Sequence, residues 1–324
     1  MTTLAKRFAP LLASVGMIFA SGTLAQAYPS EPITLVNPYA AGGPADLLGR
    51  SVAKNLGEVL RQTVIMETKP GAGTTIGANY VAKARPDGHT LLLGSAAAHF
   101  VTSFMVATPY DGLQDFKFIG MAGSGVNVLV VHPSVKANSL LEFIALVKAN
   151  PGALNYGTST LGSAAHLGAE MFKFQAGLNI LHIPYKGAAP ALADLLGGHL
   201  QMGFANLSAV MPHVKSGKLR ALAYASNTRS KNLPDLPTFT EAGLPGYVSS
   251  AWYVLAAPVR TPAPIIDRLA QLWATVQASP DFQREMDAQG TDIIRLSPAE
   301  TTAFILEDAR KTLNMIKAAN VNLK

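Results

Sequence analysis

Three observations predict an α/β fold of two lobes, with mainly parallel sheets flanked by helices. Short apolar strand segments alternate with helix-patterned segments along almost the whole chain, as in successive βαβ units. At 324 residues the chain is long for a single hydrophobic core. Two apolar runs, "NVLVVH" (127–132) and "AWYVLAAP" (251–258), read as strands buried on both faces and suited to crossing between lobes. The expected division is residues 28–126 plus 251–324 for the first lobe and 127–250 for the second.

In chain order, residues 1–27 read as a cleavable export signal. Lys6 and Arg7 precede a short apolar stretch, and Ala25, Gln26 and Ala27 form an A-x-A site. Export and the absence of cysteine together suggest a bacterial periplasm, and they exclude thiol chemistry and cysteine metal sites. No later stretch approaches the ~20 apolar residues of a spanning helix, so no membrane insertion is expected. Loss of Lys6 and Arg7 from 26 basic residues leaves 24 against 20 acidic ones, a net charge of +4. With no basic run, nucleic acid is not an expected partner; a mild positive bias suits an anion.

Strands are expected at 33–37, 63–67, 90–94, 127–132, 153–157, 180–184, 201–205, 219–225 and 251–258. Leu48, Val52, Leu56 and Val59 mark an amphipathic helix after the first strand, and Ile305, Ala309, Leu313 and Ile316 mark the last helix. The Pro-rich segment 232–247 reads as an irregular return between lobes. Pro264, Pro280 and Pro298 sit where helix first turns need no amide hydrogen.

Five strand-end loops carry the functional signal. In "NPYAAGGPADLLGR" (37–50), Tyr39, Ala40, Ala41, Gly42 and Gly43 precede a helix with Gly43 at the N-cap, Pro44 first and Asp46 in the first turn. Free amides at such an end bind a carboxylate or phosphate without a cationic side chain. The second loop places Gly73, Thr74 and Thr75 before another helix, where either Thr could cap it. Its G-x-G-x-x-x-G spacing is one residue too long for a dinucleotide fingerprint, and no phosphate-binding P-loop motif exists. No cofactor is expected. The third loop holds Ser95 and Ala96; the fourth is rich in hydroxyls, with Thr158, Ser159, Thr160 and Ser163 ahead of His166. The fifth segment, 183–210, ends a strand at Phe204, Ala205 and Asn206. Ligands sit at the carboxyl ends of parallel strands, so loops of this kind should converge on one cleft.

Catalysis is not supported. There is no G-x-S-x-G elbow, and the histidines at 89, 99, 132, 166, 182, 199 and 213 never pair at metal-ligand spacing, so no metal is expected. The candidate loops offer Asp46 as their one carboxylate. Lys186 could attract an anion, and Trp252 and Trp273 are expected to pack the core.

Taken together, these segments resemble the receptors of tripartite tricarboxylate transporters, the Bug-type periplasmic proteins. "NPYAAGGPADLLGR" is similar to the family's first signature and "KPGAGTTIGANYVAKARPDGHTLLLG" to its second; "LNYGTSTLGSAAHLGAEMF", "HIPYKGAAPALADLLGGHLQMGFANL" and "LPTFTEAGLPGY" follow in family order. The resemblance implies a periplasmic binding protein fold of type II-like form, a hinged clamp without catalysis, and a monomer that delivers its ligand to a membrane permease pair. It implies one ligand carboxylate held at residues 39–43, with Asp46 near, and at Thr74 and Thr75. The far end would be read by Thr158, Ser159, Ser163, His166 and the turn at Phe204, Ala205 and Asn206. The family often has F-D-N at that turn; with Ala205 in place of the acid, plain carboxylic acids are expected over amino acids. The family's Gly-Gly-Asn is Gly-Thr-Thr here, which adds hydroxyl donors. The expected ligand is a di- or tricarboxylate, with an aromatic dicarboxylate such as a phthalate isomer one option. The alternatives are a ligand-sensing subunit signalling to a membrane histidine kinase and, less well supported, an exported hydrolase.

Overall fold

The computed structural model describes residues 28–318, so the expected export signal lies outside the described residues. The elements run β1 (Ile33–Asn37), α1 (Pro44–Leu60), β2 (Val64–Thr68), α2 (Thr75–Ala82), β3 (Thr90–Gly94), α3 (Thr102–Met105), β4 (Phe116–Val131) and α4 (Leu140–Ala149). They continue with β5 (Asn155–Thr158), α5 (Ala164–Ala176), β6 (Leu181–Pro184), α6 (Ala188–Leu196), β7 (Met202–Asn206), α7 (Leu207–Lys215) and β8 (Arg220–Tyr224). Last come β9 (Ser250–Pro258), α8 (Ala263–Ala278), α9 (Pro280–Gln289) and α10 (Pro298–Ala318).

The strands form one curled sheet in the order β2-β1-β3-β9-β4-β7-β5-β6, with β8 also on β4. Its two halves are the sheets of the two lobes, and β4 belongs to both. Residues from Phe116 to Val126 pair with β9; those from Asn127 to Val131 lie between β7 and β8. The chain returns at Ser249, whose amide donates to Ala225 O and whose carbonyl accepts from Asn127 N, both 2.9 Å, before Ser250 opens β9. Pairs among the outer strands are parallel, as expected: β1 with β2 and β3, and β5 with β6 and β7. Every pair made by β4 or β9 is antiparallel, so the sheet is mixed.

The first half of β4 is absent from the strands expected above. Gly120, Gly123 and Gly125 give it the look of a loop, but each is a packing requirement. A Cβ at these positions would lie 3.0 Å from Trp273 Cδ1, 2.8 Å from Thr291 Cγ2 and 2.8 Å from Asn206 Nδ2. Two register shifts in this stretch turn the strand along its length.

Each half-sheet is covered on both faces. In the first lobe one face packs Leu35, Leu48, Val52, Trp273 and Phe282, and the other Val36, Phe100, Trp252 and Ile305. In the second, Leu129 and Val131 of β4 meet Phe143, Phe172, Phe239 and Tyr247, while Val128 and Val130 meet Leu195, Leu207 and Val210. This two-sided burial is why "NVLVVH" reads as an unbroken apolar run. The last three helices start at their prolines: Ser279 Oγ accepts from Phe282 N, and Ser297 and Glu300 cap one another reciprocally.

Candidate functional site

Between the lobes lies a cavity of about 470 Å³. In the first lobe β1 and β3 run side by side and deliver Tyr39 and Ser95 to it, joined hydroxyl to hydroxyl. Asn37, fully buried, accepts the Tyr39 amide on Oδ1 at 3.1 Å, while its Nδ2 has no partner. The Tyr39 ring stands edge-on to Tyr253, and burial pushes its phenol up to about 12, so it is a neutral hydrogen-bonding group. α1 begins with Gly43 at the N-cap and Pro44 next, as expected, and no side chain caps it. Asp46 turns back under the loop. Its Oδ2 accepts from Gly42 N at 3.1 Å and Arg50 forks the carboxylate at 3.1 and 3.2 Å.

In the second lobe, β5 and β7 end at Thr158 and Asn206 and lead toward the starts of α5 and α7. Ser163 Oγ caps α5 by accepting from His166 N at 3.3 Å; Gly187 and Asn206, at the starts of α6 and α7, make no side-chain cap. Asn206 Nδ2 donates instead to Gly125 O on β4, at 2.8 Å.

Four helix N-termini therefore open on one cavity: α1 through Gly43, Pro44 and Ala45, α5 through Ser163 and Ala164, α6 through Ala188, α7 through Asn206. Three lack a side-chain cap, so their first amides have no acceptor of that kind. Each end carries roughly half a positive charge, and the wall around them is formed by small, apolar and hydroxyl side chains. Such a site favours an anion.

The lobes touch beside this cavity. A Cβ on Gly42 would sit 3.5 Å from Ala189 Cβ, one on Gly43 3.3 Å from Ala188 Cβ, and one on Gly187 2.6 Å from Ala40 Cβ. At a second seam, a Cβ on Gly162 would meet Val101 Cγ1 at 2.8 Å and Met105 Sδ at 3.1 Å. The glycines read in sequence as backbone approaching a ligand are also where backbone approaches backbone across the cleft.

Of the residues expected at the site, Tyr39, Ala40, Gly43, Ser95, Ala96, Thr158, Ser159, Ser163, Phe204, Ala205 and Asn206 line the cavity. Ala41, Gly42, Asp46, Gly73, Thr74, Thr75 and His166 are not in the lining. Gly42 and Asp46 shape the loop that is. Gly71, Ala72, Gly73 and Thr74 all have positive φ, and Gly73 O accepts from Thr102 Oγ1 at 2.7 Å. Thr74 occupies the N-cap position of α2 but its hydroxyl makes no cap, because φ of 81° turns the side chain away from the helix amides. The Thr74 and Thr75 hydroxyls are buried without partners. His166 is buried behind the lining, its Nδ1 accepting Gly162 N at 3.1 Å and its ring stacked on His182 at 4.4 Å. Burial, and then His182, hold it down to about 4, so it is neutral. It anchors the loop before α5.

Sequence reasoning missed Ala188 and Ala191 of α6, the start of β9 from Ser250 to Tyr253, and Asp308, Lys311 and Thr312 of α10. Gly187, closing the strand-end segment "IPYKG", was a usable signal for the first. Trp252 packs the core, as expected, but also lines the cavity. The α10 residues carry no local signal; tertiary packing alone brings them in. Among the described residues of the lining there is no histidine. Away from it, Glu31, Asp87 and His89 come together, but Arg85 pairs with both carboxylates at 2.8 and 3.2 Å, which marks an ion-pair cluster. No described helix is long and apolar enough to cross a membrane.

Residues 48–321 match the family model of the tripartite tricarboxylate transporter family receptor. The chain is 36% identical to protein BugT of Bordetella pertussis over 97% of this chain and 98% of that one. Among solved structures it is similar to R. palustris Rpa4515 with adipate (TM-score 0.87, 32% identity, 90% of this chain and 98% of that one). It is also similar to MatC from Rhodopseudomonas palustris with bound malate (TM-score 0.84, 27% identity, 89% and 100%). With its two-lobe α/β fold, a cleft built from helix ends and this similarity over nearly its full length, the chain belongs to the tripartite tricarboxylate transporter receptor family of non-catalytic periplasmic solute-binding proteins.

Proposed function

We propose that this receptor captures a small dicarboxylate in the interlobe cavity and delivers it to the permease subunits of a tripartite tricarboxylate-type transporter in the membrane. The convergence of four helix N-termini on one cavity carries the reading. One ligand carboxylate lies among those amides, held in addition by the hydroxyls of Ser95, Thr158, Ser159 and Ser163. The buried, unpartnered Asn37 Nδ2, Thr74 Oγ1 and Thr75 Oγ1 of the first lobe support a polar relay behind that carboxylate. Tyr39, Tyr253, Phe204 and Trp252 give the cavity aromatic walls, which favours an aromatic dicarboxylate such as a phthalate isomer or an extended aliphatic one over citrate. Ala205 on the lining leaves its turn without an acid for a ligand ammonium, which favours plain acids over amino acids.

The protein works as a monomer, exported to the periplasm after cleavage before Tyr28. The lobes, residues 28–126 plus 251–324 and 127–250, hinge where β4 passes from one half-sheet to the other. The bound structures of Rpa4515 with adipate and MatC with malate support the ligand class. Calorimetry against adipate, malate, the three phthalate isomers, citrate, aspartate and glutamate tests it. A dicarboxylate should bind more tightly than either amino acid, and tight aspartate or glutamate binding would refute the preference.

A further inference from the structure

The cavity does not end among the helix N-termini. It continues along α5, past Ala164, Leu167, Gly168 and Met171, beneath Trp252 of β9, and reaches Asp308, Lys311 and Thr312 of α10. These last two are the only acid and the only amine among the described side chains that line it. They are not equally available. Asp308 is half enclosed and already accepts Trp252 Nε1 at 2.8 Å, which turns its carboxylate toward the indole. Lys311 has one partner, Glu307 at 3.5 Å, and that carboxylate is more closely held by the Arg310 fork at 2.9 and 2.7 Å. The ammonium of Lys311 is thus the uncommitted charge at this end.

The geometry points to a distal subsite in which Lys311 receives the second carboxylate of an extended dicarboxylate, with Trp252, Leu167 and Met171 enclosing its apolar middle. This rests on the carboxylate reading above and adds to it which end of the ligand faces α10. Two carboxylates on one ligand repel each other, so a cavity that takes both needs a positive centre at each pole. The helix N-termini form one pole and Lys311 the other. The span between them is lined by carbon, which suits a methylene chain or a ring and gives a hydroxylated or branched tricarboxylate nothing to bond. Thr312 adds a hydroxyl beside the ammonium.

The test compares adipate with hexanoate, which has the same six carbons and one carboxylate, on the full chain by calorimetry. Lys311 is exposed for most of its length, so Lys311→Gln leaves the fold intact. Adipate affinity should fall about threefold to tenfold in Lys311→Gln, the effect of one partly solvated ion pair, and Lys311→Arg should keep most of it. Hexanoate affinity should not change in either variant, and added salt should weaken adipate more than hexanoate only while a cation stands at 311. Unchanged adipate binding by Lys311→Gln, or equal loss of adipate and hexanoate, overturns the subsite. Adipate and hexanoate both failing to bind the unmodified protein overturns the carboxylate reading itself.

Discussion

Replacing Ala188 with Leu tests whether ligand capture depends on the small-residue seam between the lobes. Ala188 opens α6 in the second lobe, and its Cβ lies 3.3 Å from where a Cβ on Gly43 of the first lobe would stand. A leucine places three more carbons in a space with no room for one. Its cost falls on the closed arrangement alone, because only closure brings Gly43 opposite. Overpacking of this size costs about 1–3 kcal/mol. Since about 1.4 kcal/mol is tenfold in affinity, adipate binding should weaken roughly fivefold to 150-fold. The helix keeps its start, so the melting temperature without ligand should move by under about 1 °C. Solution scattering should show a larger radius of gyration with saturating adipate than the unmodified protein has. Wild-type affinity in Ala188→Leu, or a lost affinity accompanied by a lowered melting temperature without ligand, would refute the argument.

Two further outcomes follow from buried polar groups. Asp46→Ala leaves the Gly42 amide without its acceptor, which should cost about 1–3 kcal/mol of stability and weaken binding through the displaced loop. Little of that comes from Arg50, which is largely exposed; Arg50→Gln should be nearly neutral in urea unfolding. The second outcome concerns pH. His99 and His166 are each held down to about 4, chiefly by burial. Between pH ~6.5 and ~4 the unfolded chain takes up protons at these two positions and the folded chain does not, so stability falls as pH falls through that window. The loss at pH 5 relative to pH 7 should be about 2 kcal/mol per histidine by urea unfolding. His166→Gln should remove about half of the dependence, and an unchanged slope would contradict it.

β1 and β3 fall where alternation and length put them, because both are central strands with buried apolar runs. The Pro-led starts of α8, α9 and α10 were readable for a local reason as well, since a first turn needs no amide hydrogen. The start of β4 was not, because its glycines answer to Trp273, Thr291 and Asn206, residues remote in sequence. The same split runs through the site. Loops with a glycine or hydroxyl signature, at 39–43, 95–96 and 158–163, reach the cavity at least in part. His166 looked like a lining residue because it follows such a loop by one turn, yet the α5 helix rotates it onto His182. Thr74 and Thr75 carried the right chemistry, but a run of positive φ angles, invisible in composition, sets them behind the first lobe's surface. Asp308 and Lys311 were out of reach of any local pattern, since α10 meets the cavity only through the packing of Trp252.

The central claim is that the cleft binds an anion of the carboxylate class, and a thermal-shift series with adipate, malate, the phthalate isomers, citrate, acetate and hexanoate tests it most directly. A ligand present at one hundred times its dissociation constant stabilises the protein by about 2.7 kcal/mol. For a chain of this size that corresponds to a rise of roughly 5 °C or more in melting temperature. At least one dicarboxylate should produce it, and acetate should not. No rise with any mono-, di- or tricarboxylate would contradict the account.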